Sequence, residues 1–149
     1  GNSVTLPKSD CHRPAERRDH IEKMLQFART FHASPYNLGG KNQSTGIDCS
    51  GLVQLSYRLL GVNLPRDAKQ QYLGGHLILP CVKEALLPGD ALFFMNEAGQ
   101  VDHVALYLGN DDILHASGQR VRLDSMDPTA PNYLKRLDQD FIGAKRFWY

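Results

Sequence analysis

The stretch Gly46-Ile47-Asp48-Cys49-Ser50-Gly51-Leu52-Val53 joins a polar, glycine-rich loop to a segment of helical apolar periodicity. That segment extends to Leu60 and stops at Gly61, so it predicts a helix with Cys49 in its first turn. Unpaired amide groups and the helix dipole at this position favour a thiolate over a thiol. The neighbouring residues are small or acidic, so we expect the sulfur to be accessible. Cys49 is therefore a candidate nucleophile.

Length and composition predict one globular domain. The chain has 149 residues, of which 42% are hydrophobic and 22% charged, and its net charge is +1. These values argue against disorder and show no charge excess for binding nucleic acid or an anionic surface. No apolar run approaches the ~18 residues of a membrane span, and residues 1–12 lack the pattern of a signal peptide.

The three cysteines are an odd number, so we expect no disulfide framework. Cys11 and Cys81 match no metal-binding spacing and are interpreted as two unrelated thiols. Their pairing in an oxidising compartment stays open.

Helical patterns precede strand patterns along the chain, which predicts an α+β layer fold. Pro14 opens a helix with a core stripe that ends near Phe31, and Asp67 is a plausible N-cap for a helix that stops at Gly74. Residues 124–140 are expected to form a long loop or an irregular turn. Strands are predicted at 91–95, 101–108, 113–116, 119–123 and 141–147.

Two histidines in the predicted hairpin are candidates for the base that a cysteine nucleophile requires. A three-residue loop at 109–111 would pair Ala105 with His115. His103 and His115 would then lie on one face as diagonal neighbours, about 7–8 Å apart and within reach of a ring-to-ring hydrogen bond. A two-residue loop would put them on opposite faces, so the interpretation depends on register.

The residues alone leave three interpretations open. In the first, Cys49 is the nucleophile, His103 the general base and His115 the orienting group. In the second, Cys49 is an ordinary buried helix residue and the two histidines are incidental. In the third, the same three residues bind zinc, although their spacing is not the short one usual for zinc ligands and no fourth ligand is evident.

Six ordered motifs across roughly residues 20–149 resemble those of the NlpC/P60 cysteine peptidases. Residues 48–53 match the family signature D-C-S-G-[LF]-V, and residues 35–40 resemble the P-Y-x-W-G-G that precedes it. The other matching segments are 61–68, 87–94, 102–110 and 114–117. The resemblance implies a papain-like α+β fold, with the nucleophile at a helix N-terminus packed on an antiparallel sheet. It also implies a tail or linker at 1–19 and a catalytic domain at 20–149.

Carried over residue by residue, the resemblance implies roles for four residues. Cys49 matches the family nucleophile, His103 the base and His115 the third polar member. Tyr36 matches a tyrosine beside the oxyanion position, where the Cys49 amide is a further donor.

Four more residues are implied to bind substrate. Asp48 and Ser50 resemble substrate-contacting positions, and Asp48 also suits a helix N-cap. Arg66-Asp67 resembles the pair of the subgroup that cleaves γ-D-glutamyl-L-diamino acid bonds, with lysine or diaminopimelate, in muropeptides with a free N-terminal L-Ala. Asp67 can pair with that ammonium, a contact worth about 1.5–3 kcal/mol when sheltered. The alternative is that Asp67 only caps its helix and Arg66 pairs with a surface acid.

The resemblance predicts a bacterial hydrolase of peptidoglycan stem peptides or muropeptides that needs no cofactor or metal. It would act in the cell envelope, in the periplasm or outside the cell, or in cytoplasmic recycling. The family tryptophan before the paired glycines is Leu38 here. In the family this tryptophan forms part of the wall of the substrate pocket. An upstream SH3-like domain, residues 1–20 or a partner would then supply that part of the wall. The alternatives are a non-catalytic binding module of the same fold, and an amidase or acyltransferase that acts on another amide.

Overall fold

The computed structural model describes residues 14–78 and 83–148. Cys11, Cys81 and the greater part of the predicted tail at 1–19 lie outside the described residues. Over the described part, the elements in chain order are α1 (Pro14–Arg29), β1 (Lys41–Asn42), β2 (Gly46–Ile47), α2 (Cys49–Arg58), α3 (Ala68–Tyr72), β3 (His76–Leu77), a 3₁₀ turn (Lys83–Ala85), β4 (Ala91–Met95), β5 (Val101–Gly109), β6 (Asp112–Ser117), β7 (Arg120–Ser125), α4 (Lys135–Asp140) and β8 (Phe141–Arg146).

The predicted helix with Cys49 in its first turn is confirmed as α2. Its N-cap is Asp48, whose carboxylate accepts a hydrogen bond from the Gly51 amide at 2.8 Å. This bond satisfies one of the amides that have no partner within the helix. The first residue of α2 is thereby fixed at Cys49.

The predicted α+β architecture is confirmed. Among the described residues, the main sheet has six strands in the order β3-β8-β4-β5-β6-β7, and every pairing between them is antiparallel. Residues of α1 and α2 pack against one face of the sheet, and residues around α4 pack against the other. Both faces of the central strands are therefore buried.

The hairpin of β5 and β6 has the register that brings the histidines together. Leu106 pairs with Leu114 and Tyr107 with Ile113, which is the predicted register. The turn itself differs from the prediction, because Gly109 pairs with Asp112 and leaves a two-residue turn. A bulge between Tyr107 and Gly109 adds one residue to β5, so the side-chain alternation is restored.

The expectation of a loop at 124–140 is wrong at both of its ends. Strand β7 continues to Ser125, and α4 forms over Lys135–Asp140. Leu137 of α4 is buried in the core cluster on the face of the sheet opposite α1 and α2. Leu134 occupies the N-cap position without a side-chain capping bond. Tertiary packing stabilises this short helix, and its sequence lacks a start signal.

The bulge allows a test of what holds the hairpin register. Gly109 has φ +104°, beyond the left-handed region that other residues enter, and an added Cβ would lie 3.4 Å from the Pro88 side chain. We expect Gly109→Ala to lower the free energy of unfolding by about 1–3 kcal/mol in urea titrations. Gly118→Ala is the control, because Gly118 has φ +68° and open space around it, and should lose only about 1 kcal/mol. An equal or smaller loss at Gly109 would contradict this account of the register.

Candidate active site

Three side chains form a continuous line of hydrogen bonds across β5, β6 and β7. His103 Nε2 lies 2.7 Å from His115 Nδ1, and His115 Nε2 lies 2.7 Å from Asp124 Oδ2. The His115 side chain is completely buried and Asp124 is 5% exposed, so bulk water does not compete for these bonds. The predicted contact between the two histidine rings is confirmed.

The two ends of this line have shifted pKa values. Burial lowers the pKa of His103, and electrostatic interaction with the His115 ring and with Arg136 of α4 lowers it further. Burial opposes ionisation of Asp124, but hydrogen bonds from His115 and Arg122 outweigh it and lower the pKa of this carboxyl. Asp124 is therefore an ionised, buried acceptor.

Cys49 is a free thiol that is more enclosed than expected, with 8% of its surface exposed. Burial raises its pKa, and the charge of Asp48 adds to that effect. The backbone amide of Val104 and the first amides of α2 act in the opposite direction without cancelling it. The net shift of the Cys49 pKa is therefore upward, opposite to the lowering that its place at the helix N-terminus led us to expect.

The structure places Cys49 beside the strand that holds His103. Val104, whose amide acts on the sulfur, directly follows His103 in β5. In the described part of the chain, no hydrogen bond joins the Cys49 thiol to the His103 ring. Hydrogen bonds of catalytic groups are often long before substrate is bound.

Tyr36 lies near the sulfur because the loop before β1 is tied to two segments. Its position forms a bridge with Ile47, just before Asp48, and its amide donates to the Gln119 carbonyl at 2.8 Å. Burial raises the pKa of the Tyr36 hydroxyl, ionisation of Cys49 or Asp48 raises it further, and the charge of Arg66 acts in the opposite direction. The hydroxyl therefore stays protonated and remains a donor.

Asp48, Ser50 and Arg66 form one network beside Cys49. Arg66 donates to Asp48 Oδ2 and to Ser50 Oγ, each at 2.9 Å. Burial opposes ionisation of Asp48, but hydrogen bonds from Arg66 and from the Gly39 and Gly51 amides lower its pKa. Arg66 thus pairs with a buried acid, and not with a surface acid as in the alternative interpretation.

Asp67 follows Arg66 and has a different environment. It occupies the N-cap position of α3, as predicted, but its side chain makes no capping hydrogen bond. The residue is exposed. Its carboxylate is therefore available on the surface next to the Arg66 network.

Leu38 is on the loop that leads into the same network. Its side chain is 82% exposed, whereas the amide of the next residue, Gly39, donates to Asp48 at 2.7 Å. An apolar side chain thus stands in solvent beside the candidate site, at the position where the resemblance implies a pocket wall.

Two features of the described residues, 14–78 and 83–148, concern other interpretations of the site. No three His, Cys, Asp or Glu side chains in these ranges are grouped as metal ligands. No helix within them is long and apolar enough to cross a membrane.

Asp124 is the member of the line that the sequence did not reveal. The predicted strand ended at residue 123, which left Asp124 in a supposed loop. The observed register pairs His115 with Arg122, and Asp124 then lies diagonally beside His115. One more residue of strand would have placed it on the histidine face by alternation.

The chain belongs to the NlpC/P60 family, whose model matches residues 33–138, more than half of the chain. It is 40% identical over 118 residues to dipeptidyl-peptidase 6 of Lysinibacillus sphaericus, a match that covers 78% of this chain and 40% of the relative. It is 35% identical over 151 aligned positions to the murein DD-endopeptidase MepH of Escherichia coli (strain K12), which covers 97% of this chain and 52% of the relative.

A solved NlpC/P60 family protein from Bacillus cereus ATCC 10987 has the same fold. It superimposes with a TM-score of 0.72 at 28% identity, over 87% of this chain and 40% of that one. The chain thus spans about half or less of the length of the two curated relatives and of this solved protein.

The network at Asp48 predicts a pH-dependent loss of stability in Arg66→Met. A carboxyl group whose pKa is lower in the folded than in the unfolded chain stabilises the fold when the pH is above its unfolded-state pKa. This stabilisation is lost as the pH falls through the folded-state pKa. We expect the variant to lose about 1–3 kcal/mol at pH 7, discounted for the partial exposure of Arg66. The difference from the parent chain should shrink below pH about 4 in urea titrations across pH.

Arg29→Met is the matched control, because Arg29 pairs with Glu22 at 3.8 Å on the exposed face of α1. It should cost less than about 0.5 kcal/mol at every pH. A constant deficit for Arg66→Met down to pH 3 would contradict the ionic role of Asp48.

Proposed function

We propose that residues 20–149 are the catalytic domain of a cell-wall cysteine endopeptidase that hydrolyses the γ-D-glutamyl-L-diamino acid bond, with lysine or diaminopimelate in the second position. The observation that supports this most directly is the placement of Cys49 at the start of α2, with its sulfur beside the Val104 amide of β5. The residue before Val104 is His103, which begins the line to His115 and Asp124. Family membership and the endopeptidase named among the relatives support peptidoglycan as the substrate.

In the proposed reaction, His103 accepts the Cys49 proton as the sulfur attacks the γ-carbonyl carbon of D-Glu. The tetrahedral intermediate collapses to a thioester, and the diamino-acid amine leaves with the proton from His103. Water, activated by the same imidazole, then hydrolyses the thioester and restores the thiol. No cofactor is needed for either half of this sequence.

The Cys49 amide and the Tyr36 hydroxyl are the proposed donors to the oxyanion. Amide groups at the start of a helix point towards developing negative charge, and a hydroxyl that stays protonated can add a second donor. Removing one such donor costs on the order of 10²–10³ in kcat in other hydrolases.

The network around Asp48 supports recognition of the L-Ala-γ-D-Glu part of the substrate, on the N-terminal side of the cleaved bond. A γ-linked D-Glu retains its α-carboxylate, and the partly exposed Arg66 has N–H groups beyond those held by Asp48 and Ser50. Asp67, exposed and uncapped, is the proposed partner of the free L-Ala ammonium. Asp48 and Ser50 position Arg66 and line this pocket.

The exposed Leu38 supports an incomplete pocket in this stretch of chain. We propose that an SH3-like domain, the chain preceding residue 20 or a partner covers it, since the curated relatives are about twice as long or longer. The proposed place of action is the cell envelope, periplasm or exterior, with cytoplasmic recycling of muropeptides as the other setting for the same chemistry.

A non-catalytic binding module of the same fold is the alternative. It is favoured by the buried thiol with a raised pKa and by its lack of a hydrogen bond to His103 in the described residues. Replacement of Cys49 separates the two functions, since a binding module needs no nucleophile.

Cys49→Ala should abolish release of the diamino acid from L-Ala-γ-D-Glu-L-Lys and from its diaminopimelate analogue, because the thioester cannot form. Mass spectrometry of the products measures this. Far-UV circular dichroism and an unchanged melting temperature serve as the control for folding. Turnover by the variant at the parental rate would rule out the proposed nucleophile. Absence of turnover by the parent chain on any muropeptide would favour the binding module.

Asp67→Asn should lower kcat/KM about 10- to 100-fold for the peptide with a free L-Ala terminus, because the variant loses the charge-assisted contact. Turnover of the N-acetylated peptide should not change. Asp19→Asn is the control, since Asp19 is an exposed carboxylate on α1 paired with Lys23. An equal fall on both peptides would argue against Asp67 as the ammonium site.

A further inference from the structure

The carboxylate of Asp124 is the fixed end of the buried line of hydrogen bonds. It accepts from His115 Nε2 at 2.7 Å, and the Arg122 guanidinium contacts both of its oxygens, with Nε 3.1 Å from Oδ2 and Nη2 3.2 Å from Oδ1. We propose that Asp124 is a positioning residue, which acts through His115 to hold His103 with its proton-accepting nitrogen free. This inference rests on the proposed function of Cys49 and His103.

The order of donors and acceptors follows from the carboxylate. Ionised Asp124 can only accept, so the His115 proton is on Nε2. Nδ1 of neutral His115 is then an acceptor, and the Nε2–H group of His103 donates a hydrogen bond to it. The neutral His103 ring is left with an unprotonated Nδ1, which is the form that a general base requires.

The line of hydrogen bonds also stabilises the positive charge that forms on His103 during the reaction. When His103 Nδ1 takes the thiol proton, the new positive charge is shared with His115 and stabilised by the Asp124 carboxylate. His115 is fully buried, so this stabilisation is not screened by water. Loss of the carboxylate should therefore make thiolate formation harder even if the fold is intact.

Arg122 opposes this effect because it neutralises part of the carboxylate charge. Its side chain is 43% exposed, so its removal disturbs little of the core. The other charged or titratable groups near the thiol and the line come from the packed elements. They are Cys49 at the start of α2, its N-cap Asp48, Tyr36 of the loop before β1, and Arg136 on α4. Asp124 contacts Nε2 of His115, and Arg122 acts on His115 through the Asp124 carboxylate. Removal of Asp124 and removal of Arg122 should therefore shift the pKa of the Cys49 thiol in opposite directions.

The test is the pH dependence of alkylation of Cys49 by iodoacetamide, read by peptide mass spectrometry on the whole chain. For Asp124→Asn we expect a shift of the profile to higher pH by about one unit or more, and kcat/KM lower by on the order of 10- to 10³-fold. For Arg122→Gln we expect a shift to lower pH. Asp112→Asn removes a carboxylate from the opposite face of β6 and should move neither quantity.

An unchanged alkylation profile in a folded Asp124→Asn variant would overturn the proposal, because a merely structural carboxylate affects stability alone. If that variant does not fold, Arg122→Gln decides: a shift to lower pH supports the proposal and no shift overturns it. Opposite shifts in a chain that hydrolyses no muropeptide would support the role of Asp124 while refuting the proposed peptidase activity.

Discussion

The carboxylate of Asp48 is the point at which three separate segments of the chain are held together. It accepts the Gly39 amide from the entering loop, the Gly51 amide from the first turn of α2, and the Arg66 guanidinium from the approach to α3. An ionised group in a buried position is stable only with such partners. The same bonds fix where α2 begins, and thereby where the sulfur of Cys49 lies.

The second constraint is the alternation of side chains along β5 and β6. The order of helices and strands, the start of α2 and the hairpin register followed from apolar periodicity and turn residues. The loop length did not, since Asn110 and Asp111 both adopt positive φ in a tight two-residue turn. Such a turn alone would have put His103 and His115 on opposite faces. The bulge at Gly109 compensates, so the predicted ring contact holds although the predicted loop does not.

What the sequence did not reveal depends on contacts between distant segments. α4 has no capping residue and only six residues, and its Leu137 is buried by packing against strands formed far earlier in the chain. Asp124 lies near the C-terminal end of β7, and the ends of strands are the part that a sequence pattern predicts least well. His115 and Arg122, the partners of Asp124, lay within predicted strands. The continuation of β7 beyond residue 123, which aligns Asp124 with them, was not predicted.

The state of the thiol shows why the line behind His103 matters. A helix N-terminus stabilises a negative group by about 0.3–1 kcal/mol, or ~2 kcal/mol in favourable sites, which corresponds to roughly one pKa unit. Burial can raise a thiol pKa by several units. At Cys49 the effect of burial exceeds that of the helix amides, so the net shift of the thiol pKa is upward. In the proposed reaction the proton is taken at the moment of attack, and burial disfavours the cationic form of the proposed base, His103. A buried carboxylate two hydrogen bonds away is then the nearest anion along the line that can offset this cost.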